Sequence, residues 1–101
     1  MPDKNIIDKI INLILQVIVP DKIILFGSQA RGEARPDSDY DILVIKKDIE
    51  DELVLERALY RNMIGVGVDI IVKTPEGVEK AKNRLISVVK EAIQEGIVIY
   101  G

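Results

Sequence analysis

Three short apolar runs alternating with segments of helical periodicity constrain the fold more than any other feature of the chain. Residues 22–26, 40–46 and 68–73 are largely apolar over strand-like lengths and lie next to Pro, Gly or Asp, the usual punctuation of buried strands. Before them, residues 3–19 carry Ile6, Ile7, Ile10, Ile11, Leu13, Ile14, Val17 and Ile18 at spacings of three and four, an amphipathic helix that Pro20 is expected to stop. Residues 50–64 repeat the pattern with Leu53, Val54, Ala58, Leu59 and Met63, until Gly65 and Gly67 break it. Thr74-Pro75 reads as an N-cap followed by Pro at the first helical position. One helix, or two with a bend, is predicted over 75–95 with Gly96 as C-cap, and 97–100 fits a short terminal strand. The order α-β-α-β-α-β-α predicts an α/β (α+β) fold, a small sheet packed against helices. Strand direction stays open, because the connection through Pro36-Asp37 is short for an ordinary parallel crossover.

The totals narrow the chemistry. With 101 residues the chain has room for one small domain, expected to span 1–101. Hydrophobic residues make up 48% and charged residues 31%, the balance of a folded globular protein. No apolar run reaches the roughly 20 residues needed to span a bilayer, and no charged-then-apolar leader opens the sequence, so the expected location is the cytoplasm. A net charge of -3 argues against a nucleic-acid substrate, since it leaves no basic footprint for a phosphate backbone. The absence of Cys removes thiolate sites and a cysteine nucleophile, and the absence of His removes the commonest general base. Carboxylates remain as the strong metal ligands, and they favour Mg²⁺ or Mn²⁺.

Two motifs then stand out. Gly27-Ser28-Gln29-Ala30-Arg31-Gly32 follows the first strand, and Ser38-Asp39-Tyr40-Asp41 opens the second. Gly27 permits a sharp turn and the approach of a phosphate where a Cβ would intrude. Residues 28–32 are predicted to start a short helix with Ser28 at or near its N-cap, so that free N–H groups and the serine hydroxyl face an anion. Arg31, one turn on, can reach the same charge. The bland alternative is an ordinary capped helix with a solvated arginine.

Asp39 and Asp41 point to one side if both lie on the strand, because side chains alternate. Their mutual repulsion becomes binding once a divalent cation and phosphate oxygens are present. Asp69, inside the otherwise apolar run 68–73, would be costly there if buried without a partner. If the third strand lies beside the second, it completes a three-carboxylate cluster able to hold metal. The bland alternatives are a solvated turn for the pair and an edge-of-strand aspartate in solvent for Asp69. Lys46-Lys47, Arg57/Arg61 and Lys80, Lys82 and Arg84 read as solvated faces. The breadth of apolar residues on the first helix suits either core or a partner.

These residues resemble the nucleotidyltransferase superfamily that includes DNA polymerase beta, and most closely its minimal, MNT-type members. The resemblance extends over nearly the whole chain and is carried by Ile24 to Gly32, Ser38 to Val44 and Val68 to Ile71. It implies a nucleotidyltransferase fold with a small mixed sheet and transfer of a nucleoside monophosphate from an NTP to a hydroxyl, releasing pyrophosphate. On that basis Asp39, Asp41 and Asp69 are the catalytic, metal-binding acids. Gly27 and Ser28, with Arg31, hold the triphosphate, and the cofactors are Mg²⁺ and ATP. MNT proteins are also similar to antitoxins that adenylylate a HEPN-type toxin on tyrosine, which implies such a partner and an acceptor arriving as a separate protein. An assembly of like or unlike chains stays open. A non-catalytic antitoxin that masks its partner, or transfer to a small molecule or an RNA end, are the alternatives.

Overall fold

The structure is a computed structural model that describes residues 2–84 and 87–101. Helix α1 (Lys4–Leu15) starts at Asp3, whose carboxylate accepts from the Asn5 N–H at 2.8 Å, and buries Ile10 and Ile14 completely. It ends earlier than the periodicity suggests. Pro20 favours an extended residue before it, and the chain unwinds over the preceding residues, where the Val17 N–H already turns to the Ile14 carbonyl at 2.9 Å. Strand β1 (Lys22–Phe26), the short α2 (Gly27–Arg31) and β2 (Tyr40–Ile45) follow. Helix α3 (Glu52–Arg61) is capped by Asp51, which accepts from the Leu53 and Val54 amides. After β3 (Val68–Lys73), Thr74 caps α4 (Pro75–Lys82) as its sequence suggests, accepting from the Gly77 N–H at 3.0 Å.

The stretch 75–95 is two helices, the second being α5 (Val88–Glu95), with a fresh N-cap at Ser87. Leu85 and Ile86 lie outside the described residues. Gly96 does close α5, and β4 (Ile97–Tyr100) forms the terminal strand. No helix among the described residues is long and apolar enough to cross a membrane.

The sheet is mixed, in the order β3-β2-β1-β4. β1 runs antiparallel to β2 and to β4, whereas β2 and β3 are parallel and joined across α3. This resolves the short connection through Pro36: it turns the chain back instead of crossing over. Alternation then assigns two faces. Ile23, Leu25, Tyr40, Ile42, Val44, Ile70 and Val72 join Ile10 and Ile14 of α1 and Leu59 of α3 in one core. Ile24, Phe26 and Leu43 meet Val78 of α4 and Val89 and Ala92 of α5 on the other face. The breadth of α1 is thereby explained, because Ile6, Ile7, Ile11 and Leu13 also pack against the first core.

One consequence positions the site. Because β1 opposes β2 and β2 parallels β3, the end of β1 and the beginnings of β2 and β3 meet at a single end of the sheet. Gly27, Asp39, Asp41 and Asp69 all stand there.

Candidate active site

Asp41 is the hinge of the arrangement. Its backbone pairs with Phe26 on one side and, in parallel register, with Asp69 on the other, so the two acids share a face of the sheet. Asp39 lies one residue ahead of β2. The Tyr40 N–H donates to the Gly67 carbonyl at 2.9 Å, which carries the pairing one step further and sets Asp39 beside Gly67. Two glycines make room for these carboxylates. Gly27 has φ +73°, and a Cβ on it would collide with the Asp41 carboxylate. A Cβ on Gly67 would stand 2.9 Å from Asp39 Oδ1.

The charge on Asp41 is held against its own preference. Burial pushes the Asp41 carboxyl above its ordinary pKa, and repulsion from Asp69, Asp39 and Glu91 adds to the effect, with Arg31 acting in the opposite sense. Asp69 differs from expectation. It is exposed on the edge strand, so no burial cost attaches to it, and its Oδ1 accepts from the Tyr60 hydroxyl at 2.9 Å. Burial raises the Tyr60 pKa, opposed by the Ile70 backbone hydrogen bond and supported by Asp69, so the phenol keeps its proton. Among the described residues, no three acidic side chains stand close enough to grip one ion without side-chain movement.

The glycine-serine turn places Ser28 near the cap of α2, within the sequence reading, but not at it. Phe26 is the N-cap of α2 and offers no capping side chain, so Ser28 sits inside the first turn and not at the cap. The turn's opening amides therefore have no capping side chain. Arg31 is engaged elsewhere: it meets Glu91 of α5 at 2.8 Å and Glu33 at 3.2 Å, tying α2 to α5 at the rim of the site.

Several contributors carry no functional signal of their own in the sequence. Gln29 is buried and donates through Nε2 to the Ser38 carbonyl at 3.2 Å, fixing the segment that delivers Asp39. Gly67 was legible only as a helix breaker, and Tyr60 only as a helical residue. A cleft of about 340 Å³, lined among others by Ile6 and Lys9 of α1 and by Asp39, Val66 and Gly67, opens between α1 and the segments that lead into β2 and β3.

Comparison with known proteins identifies the domain. A family model described as "Nucleotidyltransferase domain" matches residues 7–99. A protein of Methanocaldococcus jannaschii, named as a candidate protein adenylyltransferase, is 36% identical over 80 residues, covering 78% of this chain and 77% of its own length. A chain from a toxin–antitoxin complex with AMP-PNP superposes with a TM-score of 0.61 at 26% identity, covering 93% of this chain and 72% of that one. A chain from the complex of a tri-AMPylated Shewanella oneidensis HEPN toxin with an MNT antitoxin shares the fold, with a TM-score of 0.57 at 24% identity over 97% of this chain and 71% of that one. Carboxylates crowded against a glycine-opened turn, within a domain match that spans nearly the whole sequence, make this chain a nucleotidyltransferase and a member of the nucleotidyltransferase domain family.

Proposed function

We propose that this nucleotidyltransferase moves AMP from ATP to a hydroxyl on a partner protein, and that it serves as the antitoxin of a HEPN-type toxin. The observation that carries the chemistry is the parallel register of Asp41 and Asp69 beside Gly27, whose missing side chain leaves space at the Asp41 carboxylate. The AMP-PNP complex and the AMPylated toxin complex, each with a chain that shares this fold, support the nucleotide and the partner. The candidate adenylyltransferase relative supports a protein acceptor.

The donor chemistry suits a hard divalent cation, which takes one or two carboxylates together with phosphate oxygens. The available donors are carboxylate oxygens, and Asp41, raised in pKa by burial first and by its acidic neighbours next, carries a repulsion that a bound cation would relieve. In this reading Asp39, Asp41 and Asp69 would hold Mg²⁺, which when bound would supply positive charge against the charge developing on the triphosphate. Gly27 and the opening amides of α2 receive phosphate oxygens, and the Ser28 hydroxyl donates to one of them. Arg31 exchanges part of its contact with Glu91 for the same charge. The acceptor hydroxyl loses its proton to an aspartate, since no histidine is present. Rate comes from holding the reacting atoms in line and excluding alternative poses.

Radiolabel from α-labelled ATP should appear on a co-expressed HEPN-type protein, and Asp39→Asn or Asp41→Asn should reduce it below detection. Transfer surviving both substitutions would overturn the mechanism. A second reading, neutralisation by masking, draws on Val88 and Ile93 of α5 and Ile97 and Val98 of β4, all exposed apolar residues. Toxin neutralisation undiminished in an Asp39/Asp41 double variant would favour it.

A further inference from the structure

The free edge of the sheet at β3 is covered by a regular ladder of side chains from α3. The Tyr60 hydroxyl accepts from the Ile70 N–H at 2.6 Å, Glu56 Oε1 from the Val72 N–H at 3.1 Å, and Glu52 Oε2 from the Thr74 N–H at 2.8 Å. The spacing follows from element geometry. Four helical residues rise about 6.0 Å and two strand residues about 6.6 Å. One side chain per helical turn therefore meets every second, outward-facing amide of the edge strand.

Capping alone asks only for an acceptor, and two of the three rungs are glutamates. Position 60 has a further demand, because Asp69 lies beside it. A glutamate there would set a second carboxylate against Asp69. The tyrosine hydroxyl accepts from the Ile70 amide and still has its own proton to give. Asp69 Oδ1, at 2.9 Å, is the better acceptor for it than the Ile70 carbonyl at 3.4 Å. A hydroxyl anchored by a backbone amide is a fixed donor, and it narrows the rotamers open to an otherwise exposed aspartate.

We propose that Tyr60 is a positioning residue, which holds the Asp69 carboxylate in place for the carboxylate cluster at the sheet end while sealing the strand edge. This rests on the reading above that Asp69 is the third acid of the metal site. The test uses the full chain with manganese(II) as probe, titrated in the presence of a non-hydrolysable ATP analogue and followed by the paramagnetic signal of the free ion. Tyr60→Phe should weaken manganese binding about tenfold, the range seen when partners behind a metal ligand are removed. Asp69→Asn should weaken it at least as much, and the double variant should be no weaker than Asp69→Asn alone. Glu56→Ala, which removes the neighbouring rung, should lower the melting temperature and keep manganese affinity.

Wild-type affinity in Tyr60→Phe together with a loss in Asp69→Asn would overturn the positioning role and leave the site reading standing. Wild-type affinity in Asp69→Asn would overturn both. Equal losses in Tyr60→Phe and Glu56→Ala would reduce Tyr60 to an edge cap. AMP found covalently on Tyr60 would make it an acceptor and also overturn the proposal.

Discussion

On the face covered by α1 and α3, the central strands present Ile23, Leu25, Tyr40, Ile42 and Val44, all buried. On the face covered by α4 and α5, the same strands hold Ile24, Phe26 and Leu43 and then give way at one end to Asp41, beside Asp69 of the edge strand β3. The difference costs no extra sequence, because a strand has a period of two and β2 serves both faces. Tyr40 and Ile42 are buried on either side of a half-exposed Asp41. The acids can be crowded because the residues flanking them on the same strand are anchored from behind. One face supplies stability, and the other spends part of it on charge.

Removing an anchor should have the largest effect. Leu59 of α3 is fully buried in the first core, and Leu59→Ala should destabilise the fold by about 3 kcal/mol. Chemical denaturation would measure it, and label transfer per folded molecule should stay unchanged. A change in specific activity without a change in stability would break the division between the faces. Gly27→Ala acts on the other face. A non-glycine residue at φ +73° costs about 1–3 kcal/mol, and the new Cβ meets the Asp41 carboxylate. A stability loss near 2 kcal/mol, with transfer activity gone, is expected. An active Gly27→Ala protein would show that the space beside Asp41 is not used.

How much of this could be read in advance depends on the range of the interaction. The strands were legible because β-branched apolar runs between Pro, Gly and Asp have few other uses, and Asp39 and Asp41 were legible because their spacing is local. Thr74 and Asp51 differ in the same way: the first is followed by Pro at the first helical position, whereas the second is one of several acids before α3. The mixed sheet directions were hidden, since they depend on how the segment through Gly27 to Ser38 doubles back. Asp69 was picked out for a burial it does not have. Its neighbour Tyr60 was invisible, because the register of α3 against β3 is tertiary and no periodicity encodes it.

The smallest effect sharpens the comparison most. Asp41 has its pKa raised in the folded state, so the folded protein binds a proton more readily than the unfolded chain does. The sign follows: stability falls as pH rises from the ordinary carboxylate pKa through the raised one, and the deficit is complete above it. Asp41→Asn removes that deficit. At neutral pH its melting temperature should rise above wild type, and the two curves should converge in acid, where both side chains are neutral. Added magnesium should raise the wild-type melting temperature and leave the variant less affected, because the cation relieves the same repulsion. A variant less stable than wild type at neutral pH would mean that Asp41 is a structural acid like Asp51, and the functional face would lose its strongest electrostatic support.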